Sequence, residues 1–206
     1  MNINIDTFND WAAKGKDVKM QEGHVDAVNK MLDLIDNKTK VFKQSFKFLD
    51  IGCGNGWVVR KISKFKHCLL AEGIDGAPEM IKKAKADDSE NTYYLQNIED
   101  WTPNKKYDII FSMEVFYYFK DPEKIILNLS KYIKKDGLLI IGIDHYKENL
   151  ESLNWDKEYN ILTNTFDIQN WKDFFIKAKL DNIFSIQYGA KEKWEGTLIV
   201  LGNKKT

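Results

Sequence analysis

The sequence predicts an α/β domain: a parallel sheet with helices on both faces and a final pair of antiparallel strands. Two observations carry this. From Phe46 onward, short apolar runs alternate with segments of helical period, the pattern of strands buried on both faces and connected by crossover helices. The last two runs are joined by too short a link for a crossover, so they pair antiparallel.

The first 40 residues are polar and read as a helical cap. Phe8 and Trp11 are three apart, and Val25, Val28, Leu32 and Ile35 share one face at the 3.6 period. Residues 41–206 form the main domain. Phe46, Phe48, Leu49 and Ile51 make the first strand, which ends in a glycine cluster, and Trp57, Val58, Val59 and Ile62 begin a helix. Cys68 to Ile74 is the second strand. Pro78 to Ala86 is the next helix, with proline in the first turn, where no N–H is needed. Thr92 to Leu95 and Tyr107 to Met113 are the third and fourth strands. Asp121-Pro122 caps a helix carrying Ile125, Ile126, Leu129 and Ile133. Asp136-Gly137 turns into a fifth strand, Leu138 to Ile143. Residues 145–165 lack periodicity and are long for a bare connection, so a lid-like insertion is expected. A helix over Phe166 to Leu180 and strands at Ile183 to Tyr188 and Thr197 to Leu201 complete the chain.

Composition narrows the function. The chain has 206 residues, 43% of them hydrophobic, enough for a core of one domain. Its 31 basic and 31 acidic side chains cancel, which gives no support for binding nucleic acid or a membrane surface. Arg60 is the one arginine, against a site built from guanidinium forks. Cys53 and Cys68 are 15 apart, with neither metal nor redox spacing. The first residues lack the pattern of a signal peptide, and the apolar run Leu138 to Ile143 falls far short of the ~20 residues of a membrane span. A cytoplasmic protein is expected.

The most informative segment is Asp50-Ile51-Gly52-Cys53-Gly54-Asn55-Gly56-Trp57, where strand becomes helix. Ligands of open α/β sheets bind at such carboxyl edges. The phosphate loop G-x-x-x-x-G-K-[ST] is absent, and the dinucleotide pattern G-x-G-x-x-G fails at Trp57. Asp50 lies two residues before the first glycine, where a carboxylate would repel a pyrophosphate and attract an ammonium or sulfonium group. Asp75 ends the second strand, 19 residues after Gly56, placed to accept from ribose hydroxyls.

Between Phe46 and Ile143 the chain resembles the class I S-adenosylmethionine-dependent methyltransferases of the small-molecule type. The resemblance implies a Rossmann-like, doubly wound seven-stranded sheet, mostly parallel with an antiparallel C-terminal strand, in three α/β/α layers. It implies S-adenosylmethionine as cofactor. Gly52, Gly54 and Gly56 would pass beneath its methionine part and Asp50 would lie near the amino group, with Cys53, Asn55 and Trp57 also at the cofactor. Asp75 would hold the ribose, with Gly76 beside it and Met80 near the adenine. The segment Leu95 to Glu99 corresponds to the stretch that usually offers an aspartate to the adenine amino group; Asn97 stands there, followed by Ile98. Its carbonyl oxygen accepts the same donor without charge assistance. Met113 would border the cofactor through its backbone.

The expected reaction is in-line methyl transfer to a small-molecule acceptor, in a monomer or homodimer. The Asn-Pro-Pro-aromatic signature of enzymes acting on nucleic-acid bases is missing after the fourth strand. His145 is the candidate general base, and Tyr117 a candidate for placing a hydroxyl at the reacting centre. Trp11, Tyr118, Asp144, Tyr146, Trp155 and Trp194 are candidates for the acceptor pocket, as an aromatic wall with one acid able to pair with a cation. His24 is read as a structural residue of the N-terminal helix. The histidines are scattered without ligand spacing, so no metal is expected. Two other readings remain: a non-catalytic protein that binds the cofactor or a partner, and a nicotinamide-dependent oxidoreductase, opposed by Asp50 and Trp57.

Overall fold

The computed structural model describes residues 2–205. Seven strands form one sheet: β1 (Phe46–Ile51), β2 (Cys68–Asp75), β3 (Thr92–Leu95), β4 (Tyr107–Met113), β5 (Ile133–Ile143), β6 (Asp181–Tyr188) and β7 (Thr197–Asn203). Their order is β3-β2-β1-β4-β5-β7-β6. Strands β1 to β5 pair in parallel, and β7 runs antiparallel to both β5 and β6. The strand order reverses beside β1, so the switch point falls at the exit of Ile51, where the glycine turn begins.

Seven α-helices cover the sheet: α1 (Ile3–Ala13), α2 (Lys16–Lys38), α3 (Trp57–Ser63), α4 (Pro78–Asp87), α5 (Pro122–Ser130), α6 (Trp155–Tyr159) and α7 (Ile168–Lys177). Local chemistry sets several of their ends. The Asp121 carboxylate accepts from the Lys124 N–H at 2.9 Å, with Pro122 in the first turn. Asp167 and Asn170 form a reciprocal capping box at α7.

One apolar layer joins Leu129 of α5 and Trp171, Phe174 and Phe175 of α7 to Leu139 and Ile141 of β5. The opposite layer joins Val28, Met31 and Ile35 of α2 and Val59 and Ile62 of α3 to Phe48, Phe111 and Ile140. The segment expected as a cap thus divides its roles. Helix α2 is a full member of one helix layer, whereas α1 lies against α4 and the carboxyl edge. Gly142 has a packing reason of its own. A Cβ there would lie 2.7 Å from the Met113 sulfur and 2.8 Å from that of Met31, so glycine lets both side chains meet over β5 without shifting.

Two boundaries differ from expectation. Helix α5 stops at Ser130, and Ile133 belongs to β5. Tyr107 pairs with Ile133 but Ile109 with Leu138. Asp136-Gly137 is therefore an irregularity inside a longer strand, with Asp136 at φ 62°. Its backbone stays satisfied, because the Asp136 N–H donates to the Lys204 carbonyl and the Lys204 N–H to the Gly137 carbonyl, both at 2.8 Å. A periodic apolar residue just past a helix reads the same in both states. Helix α7 is likewise shorter than the expected 166–180.

Beneath the edge strands sits a buried carboxylate, Glu72, only 1% exposed. It accepts from the Tyr107 hydroxyl at 2.7 Å, the Tyr94 hydroxyl at 2.8 Å and Lys105 Nζ at 3.0 Å. Three donors satisfy the charge and tie β2, β3 and β4 together.

Met31 is fully buried in the α2 layer, and its loss leaves a cavity there. Met31→Ala should lower unfolding free energy by about 2–5 kcal/mol, measured by urea denaturation monitored through tryptophan fluorescence.

Candidate active site

Strand β1 delivers Asp50 to the sheet edge, and the chain then turns through three glycines with positive φ. The turn stays anchored to β2: the Gly52 and Cys53 N–H groups both donate to the Ile74 carbonyl, at 2.8 and 3.0 Å. At Gly52, φ is 73°, and an added Cβ would run into the Val115 side chain, so this position needs glycine twice over. At Gly54, φ is 52° and the space above is nearly open, with only the Met80 sulfur at 3.7 Å. That opening is the floor of a cavity.

The cavity is walled by the turn, the end of β2, the exit of β4 and helices α1 and α2. Of the thirteen residues expected around the cofactor, twelve line it: Asp50, Gly52, Cys53, Gly54, Asn55, Trp57, Asp75, Gly76, Met80, Asn97, Ile98 and Met113. Gly56 stands behind the wall, packed on Tyr93; a Cβ there would lie 2.5 Å from the ring.

The two carboxylates at this floor differ in their partners. Asp75 accepts from the Gly54 N–H at 2.9 Å and the Ala77 N–H at 2.8 Å, one on each oxygen. Each oxygen keeps lone pairs for a further donor. Burial raises the Asp75 pKa, and the N–H bonds from Ala77, Gly54 and Gly76 oppose the rise. Asp50 is 3% exposed and accepts no hydrogen bond among the described residues. Burial pushes its carboxyl well above the ordinary range, and the Asp75 charge adds to this. An unpartnered buried carboxylate facing a cavity is a place for a positive group.

Helix α2 braces the turn. Asn55 Nδ2 donates to Asp17 Oδ2 at 3.0 Å and to Gln21 Oε1 at 3.2 Å, while Arg60 donates to the Asn55 carbonyl at 2.6 Å. Asp17 is itself paired with Lys83 at 2.6 Å. Helix α1 closes the far side: Ile5 packs over Gly76, where a Cβ would lie 2.6 Å from Ile5 Cδ1. Asn97 donates to Asp100 at 2.8 Å and accepts from the Glu99 N–H at 3.3 Å, leaving one acceptor position on its carbonyl oxygen.

Beyond Met113 the wall is Glu114, Val115 and Tyr118, with His24 facing them from α2. Glu114 has φ 62°, in the left-handed region that a glutamate rarely adopts. Its Oε2 accepts from the Tyr117 hydroxyl at 2.6 Å, and its Oε1 from the Asp144 N–H. Burial raises Glu114, and the neighbouring Asp144 charge adds to this. Asp144 is raised to about 6 by burial, and its Oδ1 is buried without a partner. Burial lowers His24 to about 4, so its imidazole is neutral. His24, Glu114 and Asp144 offer ligand atoms all within 4.8 Å of one another. Chain order gave no hint of this, since the three are far apart in sequence and converge only through α2 and the exits of β4 and β5.

Several expected acceptor residues lie elsewhere. His145, expected as a base, is fully buried, with Nδ1 2.9 Å from the Ser152 carbonyl and Nε2 2.8 Å from Thr165 Oγ1. Both ring nitrogens are occupied in holding residues 145–165 together, and the ring is off the cavity wall. Tyr117 is also fully buried; its hydroxyl holds Glu114 and stands 2.9 Å from that of Tyr118. Tyr146 is buried and donates to the Gly196 carbonyl at 2.9 Å. Trp155 stacks on Trp194, with centroids 6.1 Å apart, behind Tyr117. Trp11 meets Tyr159 edge-on at 5.9 Å, on the outer side of α1. Of the aromatic candidates, Tyr118 alone reaches the cavity.

A family model described as "Methyltransferase domain" matches residues 19–183. The chain belongs to this family. It is 30% identical over 161 residues to malonyl-[acyl-carrier protein] O-methyltransferase 2 of Ilyobacter polytropus, an alignment covering 73% of this chain and 59% of that relative. The chain thus spans about three fifths of that relative's length. Among solved structures, a chain in the complex between the Haloferax volcanii Trm112 methyltransferase activator and a methyltransferase superposes with a TM-score of 0.82 at 24% identity, covering 97% of this chain and 98% of that one. N-methyltransferase NodS from Bradyrhizobium japonicum WM9, in complex with S-adenosyl-L-homocysteine, superposes with a TM-score of 0.58 at 18% identity, covering 77% and 78%. Both share the fold, with the seven-stranded sheet expected from the sequence. No helix among the described residues is long and apolar enough to cross a membrane.

The raised Asp144 pKa has a consequence for stability. The folded state holds this proton more tightly than the unfolded state, whose ordinary value is 3.8. Its penalty is absent below that value and complete above about 6, so stability falls as pH rises through this window. Urea denaturation across the window should give a visibly shallower fall for Asp144→Asn than for the unaltered protein.

Proposed function

We propose that the protein transfers the methyl group of S-adenosylmethionine to a small-molecule acceptor by in-line displacement. The observation that carries this is the pair of carboxylates flanking the glycine turn, Asp50 buried and without a partner and Asp75 half-buried with both oxygens free to accept again. Membership of the methyltransferase family and the S-adenosyl-L-homocysteine bound by NodS support the same cofactor.

The residues present suit that molecule. Asp50 faces its ammonium group, Asp75 accepts from the ribose hydroxyls, and Asn97 with Ile98 and Met80 meets the adenine. The turn at Gly54 leaves room for the methionine chain, where a side chain would intrude. The bound cofactor supplies an electrophilic methyl on a sulfonium sulfur. The protein's part is to orient and to exclude water. Ile5 and Phe8 of α1, with Tyr118 and Phe119, wall the cavity with apolar surface. Tyr117 acts on the acceptor side by holding Glu114. Two free thiols suit a cytoplasmic location, and the reading extends to a monomer or homodimer.

Asp50→Ala and Asp75→Ala should each weaken S-adenosylmethionine binding by about tenfold or more in titration calorimetry, the loss of a charge-assisted hydrogen bond. Unchanged affinity in both would sink the assignment, and preferential binding of NAD would replace it. Mass spectrometry of a cell extract incubated with the protein and isotopically labelled cofactor should show a labelled methylated product.

A further inference from the structure

At the acceptor end of the cavity, three acceptors converge and, among the described residues, no cationic side chain pairs with them. His24 and Glu114 line the wall, and Asp144 stands behind them. The His24 ring makes no hydrogen bond among the described residues, and Asp144 Oδ1 is buried and unpartnered. Glu114 is fixed by the Tyr117 hydroxyl and the Asp144 N–H, with lone pairs to spare on both oxygens. Ion pairs hold other buried acids of this chain, Asp17 with Lys83 and Glu72 with Lys105. Neither Glu114 nor Asp144 has one among the described residues. A site made of acceptors lacks a donor, and a site with two carboxylates favours a donor that is positive.

The spacing suits an ammonium group. Charge-assisted N–H bonds of ~2.8 Å in tetrahedral directions place their acceptors about 4.6 Å apart, and the three acceptor atoms lie within 4.8 Å of one another. We propose that His24 and Glu114 on the wall, with the Asp144 carboxylate behind them, form a tripod for the ammonium head of the methyl acceptor, so that the acceptor is an amine. This rests on the methyl-transfer reading above. It sets the chain apart from its malonyl-carrier relative, because an acceptor carboxylate would meet further acceptors and the Asp144 charge. Before it can act as a nucleophile, the ammonium gives one proton to the Glu114–Asp144 pair. An N–H bond breaks, an O–H bond forms, and the electron pair stays on nitrogen.

The test follows the imidazole resonances of His24 by NMR, near neutral pH, in protein saturated with S-adenosylhomocysteine. The probes are butylamine, butanol and butyrate. Butylamine should shift His24 saturably and bind at least about tenfold tighter than either isostere. Asp144→Asn and Glu114→Gln should each weaken butylamine about fivefold or more, with S-adenosylhomocysteine affinity held within about twofold. That retained affinity, measured by calorimetry, also reports that each variant is folded. If one variant unfolds, His24→Gln takes its place with the same expectation. Butyrate binding as tightly as butylamine, or butylamine affinity unchanged in the folded variants, would overturn the tripod. If S-adenosylhomocysteine fails to bind the unaltered protein, the methyl-transfer reading fails instead, and the same titration without it still decides whether the tripod selects amines.

Discussion

Four carboxyl groups gathered at one edge of the sheet, Asp50 buried and the others half-buried, are the constraint around which this molecule is arranged. Asp50, Asp75, Glu114 and Asp144 stand at the exits of four adjacent strands, and burial makes ionisation costly for each. Deep in a protein such charges are tolerated only with compensating donors or cations. Backbone N–H groups compensate Asp75, and a hydroxyl and an N–H compensate Glu114. Asp50 and one oxygen of Asp144 have no partner among the described residues. The fold tolerates the local cost because the rest of the sheet is apolar on both faces and its other buried acids are paired.

The elements outside the sheet serve that edge. Helix α2 contributes on two sides at once: Val28 and Met31 fill the core, while Asp17, Gln21 and His24 face the cavity. One helix therefore fixes both the glycine turn, through Asn55, and the acceptor end. Residues 145–165, held by His145 between Ser152 and Thr165, pack behind Tyr117 and so behind Glu114. Aromatic residues there shape the pocket from the second layer, by setting where Tyr117 and Tyr118 stand.

Much of the fold was legible because its signals are local. Apolar runs, the glycine cluster and Asp121-Pro122 each state their structure within a few residues. Ile133 misled for the same reason: a periodic apolar residue fits the end of a helix or the start of a strand, and only pairing with Tyr107 decides. The cavity floor was legible because Asp50, the glycines and Asp75 lie on consecutive elements with fixed spacing. The acceptor end was not. His24 looked like an ordinary helix residue and His145 stood at a strand exit, yet tertiary packing put the first on the wall and locked the second away from it. Glu114 carries its signal in a positive φ, which no residue type announces.

Helix α1 is fastened on both flanks. Asn4 Nδ2 donates to the Leu162 carbonyl at 2.9 Å, and Asn4 Oδ1 accepts from the Leu162 N–H at 2.7 Å. Thr7 donates to the Asn160 carbonyl at 3.0 Å, and Asn9 accepts from the Glu79 N–H at 2.8 Å. Gly15, at φ 73° with nothing near its missing Cβ, joins α1 to α2. The roof is thus latched to two neighbours and jointed at one residue. Any displacement of the roof about Gly15 has to break the hydrogen bonds to residues 160–162 and to α4 alike.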